Sequence, residues 1–174
     1  MTDLRFPIGK FSFPEHVDEN QRQAWIADIA QVPQQLREAV ARLSAEQLDT
    51  PYRPEGWTLR QVVHHLPDSH MNSYIRFKLA LTEDKPTIKP YAEAAWAELP
   101  DAKEDIAVSL VLLESLHARW VQLLKTIEGE AWQRSFMHPE SQRLTSLERA
   151  LAIYSWHGKH HIAHINSLRE RMGW

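Results

Sequence analysis

The sequence predicts an all-α four-helix bundle with long connections, and three observations predict it. Apolar residues recur at steps of three and four in four separate stretches, the period of one helix face. No series of stretches alternates at period two, as strands with one buried face would. Proline- and glycine-containing segments punctuate the helical stretches, and none is low in complexity or repeated. At 174 residues the chain is long enough for a sizeable core, and one domain spanning 1–174 is expected.

Residues 1–18, with Pro7 and Pro14, read as an extended arm laid over the surface. Trp25, Ile29, Val32, Leu36, Val40 and Leu43 mark the first long helix, which Pro33 should kink or split. Ser44-Ala45-Glu46-Gln47 can cap a short turn, and residues 49–56 form a loop around Pro51 and Pro54. Thr58-Leu59-Arg60-Gln61 is a capping box, in which Thr and Gln each satisfy an orphan N–H of the other. It opens a second helix reaching about Leu81, with Pro67 inside it. A long connection over 83–101 holds a short helix around Ala92 to Glu98. A connection of that length suggests a role, such as lining a pocket mouth or a subunit contact. Ile106, Leu110, Leu113, His117, Trp120, Leu124 and Ile127 mark the third long helix, with His117 at a core position. Residues 129–144 read as a loop. Thr145-Ser146-Leu147-Glu148 reads as a capping box for the fourth helix, which Gly173 ends.

The fourth helix carries Trp156-His157-Gly158-Lys159-His160-His161-Ile162-Ala163-His164, four of the ten histidines. With about 100° per residue, His161 lies about 10° and His157 about 50° from the centre of the apolar arc. His164 falls about 70° and His160 about 110° away, towards the helix edge or solvent. An inward pair at i, i+4 is the spacing by which two imidazoles share one metal ion. The bland alternative is two core-edge histidines, each bonded to a neighbour; two buried rings in a stripe suited to leucine favour the metal. The second helix carries His64, His65 and His70, and spacing alone leaves His65 and His70 both open as a third ligand.

Composition narrows the chemistry. The chain has no cysteine, so disulfides, thiolate ligands and a cysteine nucleophile are excluded and a metal site must use histidine and carboxylate. Net charge is −3 with no basic block, so no nucleic-acid partner is expected. The start lacks a basic n-region followed by an apolar core, and no apolar run is expected to approach membrane-spanning length, so a cytoplasmic protein is expected.

Several stretches together carry a family resemblance. They are Leu48-Asp49-Thr50-Pro51-Tyr52-Arg53, then Gly56-Trp57-Thr58-Leu59-Arg60-Gln61-Val62-Val63-His64-His65-Leu66, then the run from Asp68 to Lys78. Pro7-Ile8-Gly9, the late Trp156-His157 with His160 to His164, and the ending Met172-Gly173-Trp174 join them. Over nearly the whole chain this resembles the YfiT-type metal-dependent hydrolases, a provisional assignment, of the DinB-like superfamily. The resemblance implies a DinB-like four-helix bundle, a homodimer, and one divalent ion per subunit, Zn2+ or Ni2+, held by three histidines. Those ligands fall on His65, His157 and His161, while His70 and His164 match family positions that are not ligands. One departure from the family pattern is Pro67.

Three neutral imidazoles leave open positions on a divalent ion, the arrangement of catalytic sites. The first expectation is hydrolysis of a small molecule by activated water. The alternative is S-transfer from a low-molecular-weight thiol such as bacillithiol, with which DinB-like relatives are associated; Asn72 and Arg76, on the polar strip beside His65, are candidates to bind it. A third reading is a non-catalytic metal-binding stress-response bundle. Asp68 and Glu148 are unpersuasive as a general base, one by its angle and the other by its distance along the chain.

Overall fold

The computed structural model describes residues 3–174. Four long helices carry the fold: α1 (Glu19–Val40), α3 (Leu59–Thr82), α5 (Ile106–Leu124) and α6 (Leu147–Met172). Two single turns, α2 (Ala45–Leu48) and α4 (Glu93–Trp96), sit in the connections. The four-helix bundle expected from the sequence is present. Going round it, α1 packs on α6, α6 on α3, α3 on α5 and α5 on α1. The first and second long helices therefore stand diagonally opposite, which short loops cannot achieve and the long connections allow.

Side-chain caps set the phase of each long helix. Asp18 accepts from the Gln21 N–H, and the capping boxes Ser44/Gln47 and Thr58/Gln61 are both formed. α6 begins differently from the expectation. Ser146, not Thr145, is its cap and accepts from the Arg149 N–H at 3.2 Å. Thr145 is held extended in a hairpin, so the helix nucleates at the next hydroxyl. That hairpin, β1 (Ser135–His138) against β2 (Arg143–Ser146), lies where a loop was expected, paired from Ser135↔Ser146 to His138↔Arg143. Its strands are too short to show an alternating pattern. Glu148, freed from capping, pairs with Arg22 at 2.7 Å.

Pro33 does not split α1, and Pro67 lies inside a continuous α3. Each withholds the N–H that would bond the carbonyl four residues earlier, so Ile29 and Val63 lose a helical donor. Contrary to the sequence expectation, α5, 19 residues with a mean hydropathy of 1.2, is long and apolar enough to cross a membrane by those criteria alone. In the bundle its Leu110, Leu113, Trp120 and Leu124 are buried against the other helices.

The core falls into two clusters. One holds Ile29, Phe77, Trp120, Leu147 and Tyr154; the other holds Val32, Leu66, Leu113, Ile162 and Ile165. On α3, α5 and α6 the crossing from one cluster to the other is made through a histidine: His70, His117 and His157 respectively. A polar layer thus cuts the bundle between two apolar ones.

Candidate metal centre

His65 comes from α3, whose phase the Thr58 cap sets, and His157 and His161 come from successive turns of α6. The structure brings the three together. One ring nitrogen from each lies within 4.8 Å of the other two. His65 Nε2 stands 3.4 Å from His157 Nε2. Two nitrogens bound at about 2.1 Å to one tetrahedral ion are separated by about 3.4 Å, so this edge fits a zinc-like ion without movement. His161 Nδ1 is buried without a hydrogen-bond partner among the described residues, a polar atom that a purely structural cluster would leave unsatisfied. The donor set is all imidazole, one of the donor types that the absence of cysteine leaves.

Electrostatics favours the form that binds metal. Burial holds the His65 pKa down at about 4. Burial, then the neighbouring rings, pushes His157 and His161 well below the usual histidine value. All three are neutral near pH 7, with lone pairs available for a cation.

His70, which spacing left level with His65, occupies a different place. Its Nε2 lies 3.1 Å from His157 Nδ1, on the side of that ring away from His65 Nε2, and its Nδ1 lies 2.8 Å from His117 Nε2. His117 Nδ1 donates to the Ile29 carbonyl at 2.7 Å, so the expected core histidine is bonded on both nitrogens.

His160 and His164 correct an expectation. They were placed at the helix edge or solvent, yet are 8% and 3% exposed. Trp156 stacks on His160 at 4.3 Å, Tyr52 on His164 at 4.0 Å, and Phe6 of the N-terminal arm approaches His160 at 6.1 Å. The arm and the loop before α3 cover a face that helix geometry alone leaves open. Their Nε2 atoms lie 3.0 Å apart.

A cleft of about 390 Å³ reaches His65 and His161, walled by Arg5, Arg53, Trp57 and Glu93. The Trp57 ring lies 4.7 Å from that of His65 and nearly parallel to that of His161. Asn72 and Arg76 are not among its walls. Asn72 Nδ2 donates to the Asp68 carbonyl of its own helix at 2.9 Å. Arg76 acts at one remove, its charge favouring the ionised forms of Glu93 and Tyr91. Asp68 opens on a separate cleft beside His64 and Asp101, and burial, then Asp101, raises it to about 6. Neither it nor Glu148 bonds His65, His157 or His161 among the described residues. Sequence reasoning missed Arg5, Arg53, Trp57 and Glu93 as cleft residues. Arg53 and Trp57 stand inside the motif that carried the resemblance, but only the folded loop turns them to the site.

An all-α bundle with an open three-histidine cluster is the outline of a metal-binding helical domain. The family model of the DinB superfamily matches residues 28–165, and the chain belongs to that superfamily. It is 57% identical over its full length, and over the whole of the relative, to a Bacillus cereus protein provisionally named a metal-dependent hydrolase. A Bacillus thuringiensis protein with the same provisional name matches equally well over the whole of both chains. Among solved structures, YfiT from Bacillus subtilis superposes with a TM-score of 0.97 at 52% identity, over 99% of both chains. It is described as a probable metal-dependent hydrolase with an unusual four-helix bundle topology.

Proposed function

We propose that this protein is a metal-dependent hydrolase in which His65, His157 and His161 hold one Zn2+ or Ni2+ ion per subunit. The observation that carries the reading is the convergence of three neutral ring nitrogens within 4.8 Å at the end of an open cleft. Bound there, the ion would supply Lewis acidity, lowering the pKa of water to about 7 or polarising a carbonyl. The chain's own residues supply the rest. Trp57 packs its ring 4.7 Å from that of His65 and narrows the cleft there. Glu93 is the cleft carboxylate whose pKa is raised by partial burial, which suits a group that accepts a proton near neutral pH. Arg53 gives the mouth a cation for an anionic substrate, whereas Arg5 beside it is already paired with Asp3 at 2.9 Å.

Arg53 favours a second reading, S-transfer from a low-molecular-weight thiol whose carboxylate it would bind. Arg76 supports binding there only indirectly, through Glu93, and Asn72, bonded to its own helix, lies off the cleft. One experiment separates the readings: metal-loaded protein is titrated calorimetrically with bacillithiol-type thiols and assayed against a panel of small esters and amides. Hydrolysis without thiol binding supports the hydrolase. Tight, metal-dependent thiol binding supports the transferase. Stoichiometric metal with neither activity supports a non-catalytic bundle, and no metal uptake overturns all three.

The expected homodimer is supported by an apolar stripe on α5, where Val108, Val111 and Leu112 are 76%, 57% and 41% exposed. Isolated apolar residues on a surface are ordinary; three on adjacent turns of one helix suit a second subunit.

A further inference from the structure

Four groups on four helices form one directed chain. Ile29 on α1 offers its carbonyl because Pro33, four residues on, has no N–H to give it. A carbonyl can only accept, so the His117 nitrogen 2.7 Å from it, Nδ1, carries a proton. His117 is 2% exposed and bonds no carboxylate among the described residues, so the ring is neutral and its Nε2 is an acceptor. His70 Nδ1, 2.8 Å away, is then the donor. His70, 0% exposed and bonded only to imidazoles, is neutral because no anion among the described residues faces it. Its Nε2 accepts, and His157 Nδ1, 3.1 Å away, donates. None of the three rings bonds a carboxylate among the described residues. The sequence of protons ends with a bare lone pair on His157 Nε2, the nitrogen 3.4 Å from His65 Nε2.

We propose that Pro33, through the Ile29 carbonyl, and His117 and His70 are positioning residues that lock His157 in the Nδ1–H tautomer and aim its bare Nε2 at the metal. The inference rests on the metal reading above. It gives the polar layer between the two core clusters a purpose, because three buried imidazoles satisfy one another only in this order. It also accounts for a proline in mid-helix: restoring an N–H at position 33 would compete for the carbonyl that fixes the direction. Outer partners of metal-bound histidines fix tautomer and ring orientation in this way, and losing one weakens metal affinity about 10- to 100-fold.

The test is long-range 1H–15N correlation spectroscopy of the labelled, metal-free protein at neutral pH, with Zn2+ affinity measured by chelator competition. His117, His70 and His157 are expected as Nδ1–H forms with unprotonated Nε2, the reverse of the form free histidine favours. Any of the three in the Nε2–H form overturns the proposal. His117→Phe is expected to erase the tautomer preference of His157, two links away, and to weaken Zn2+ about 10- to 100-fold. Pro33→Ala, which restores a helical donor without endangering the fold, is expected to move both readouts in the same direction by less. Variants that keep the wild-type tautomer and affinity overturn the relay while leaving the metal reading intact. A wild type with the expected tautomers and no Zn2+ binding overturns the metal reading, and the role in orienting a ligand falls with it.

Discussion

His65 and His70 stand five positions apart on α3 and divide the work of the site between them. His65 faces His157 Nε2 and the cleft, whereas His70 backs the same ring from Nδ1. Removing a proposed ligand and removing a neighbour should therefore differ sharply. His65→Ala, His157→Ala and His161→Ala are each expected to lose most bound metal by elemental analysis. His160→Ala is expected to retain it, since His160 engages Trp156 and His164 instead. Equal metal content in all four variants would contradict the assignment. At this scale the i, i+4 pair was legible, because two positions on one helix share a face at a known angle. The choice between His65 and His70 was not legible from spacing, because it depends on which side of a ring from another helix each one meets. The burial of His160 and His164 was hidden for a similar reason: Phe6 and Tyr52 come from distant segments.

At the scale of the element, α6 shows why a glycine sits beside a proposed ligand. A Cβ on Gly158 would lie 2.5 Å from Val32 Cγ2, inside the contact of α6 with α1. In an exposed helix Gly→Ala gains about 1 kcal/mol. Here the clash should reverse the sign. Gly158→Ala is expected to destabilise the protein by about 1–3 kcal/mol, as overpacked cores do, measured by urea denaturation. A more stable variant would show that the two helices are not held this close. Gly173, with φ of +71°, does end α6 as its position suggested. The start of α6 was misplaced by one residue because Thr145 and Ser146 offer equivalent hydroxyls, and only the hairpin decides between them.

For the whole molecule, the buried histidines link stability to pH. His65 and His117 are lowered from 6.5 to about 4, so below pH 6.5 the unfolded chain takes up protons that the folded protein refuses. Stability is then full above pH 6.5 and is lost as pH falls towards 4, by about 3 kcal/mol for each buried ring. Asp68, raised to about 6, works in the opposite sense and offsets part of the loss. The urea midpoint of metal-free protein is expected to fall between pH 7 and pH 4.5; a flat profile would contradict the burial of neutral rings. Val108→Asp with Leu112→Asp on the exposed α5 stripe is expected to give a monomer by light scattering, and an unchanged mass would place any dimer contact elsewhere. The bundle itself was readable from periodicity and caps, since each helix signals its own face. The diagonal placement of α1 and α3 was not, because the length of a connection excludes a simple order without choosing another.

The most direct test of the central claim is calorimetric titration of metal-free protein with Zn2+, beside the His157→Ala variant. We predict one equivalent bound per subunit by the wild type and a large loss of affinity in the variant. A wild type that binds no ion, or a variant that binds as tightly, would contradict the metal centre drawn from His65, His157 and His161.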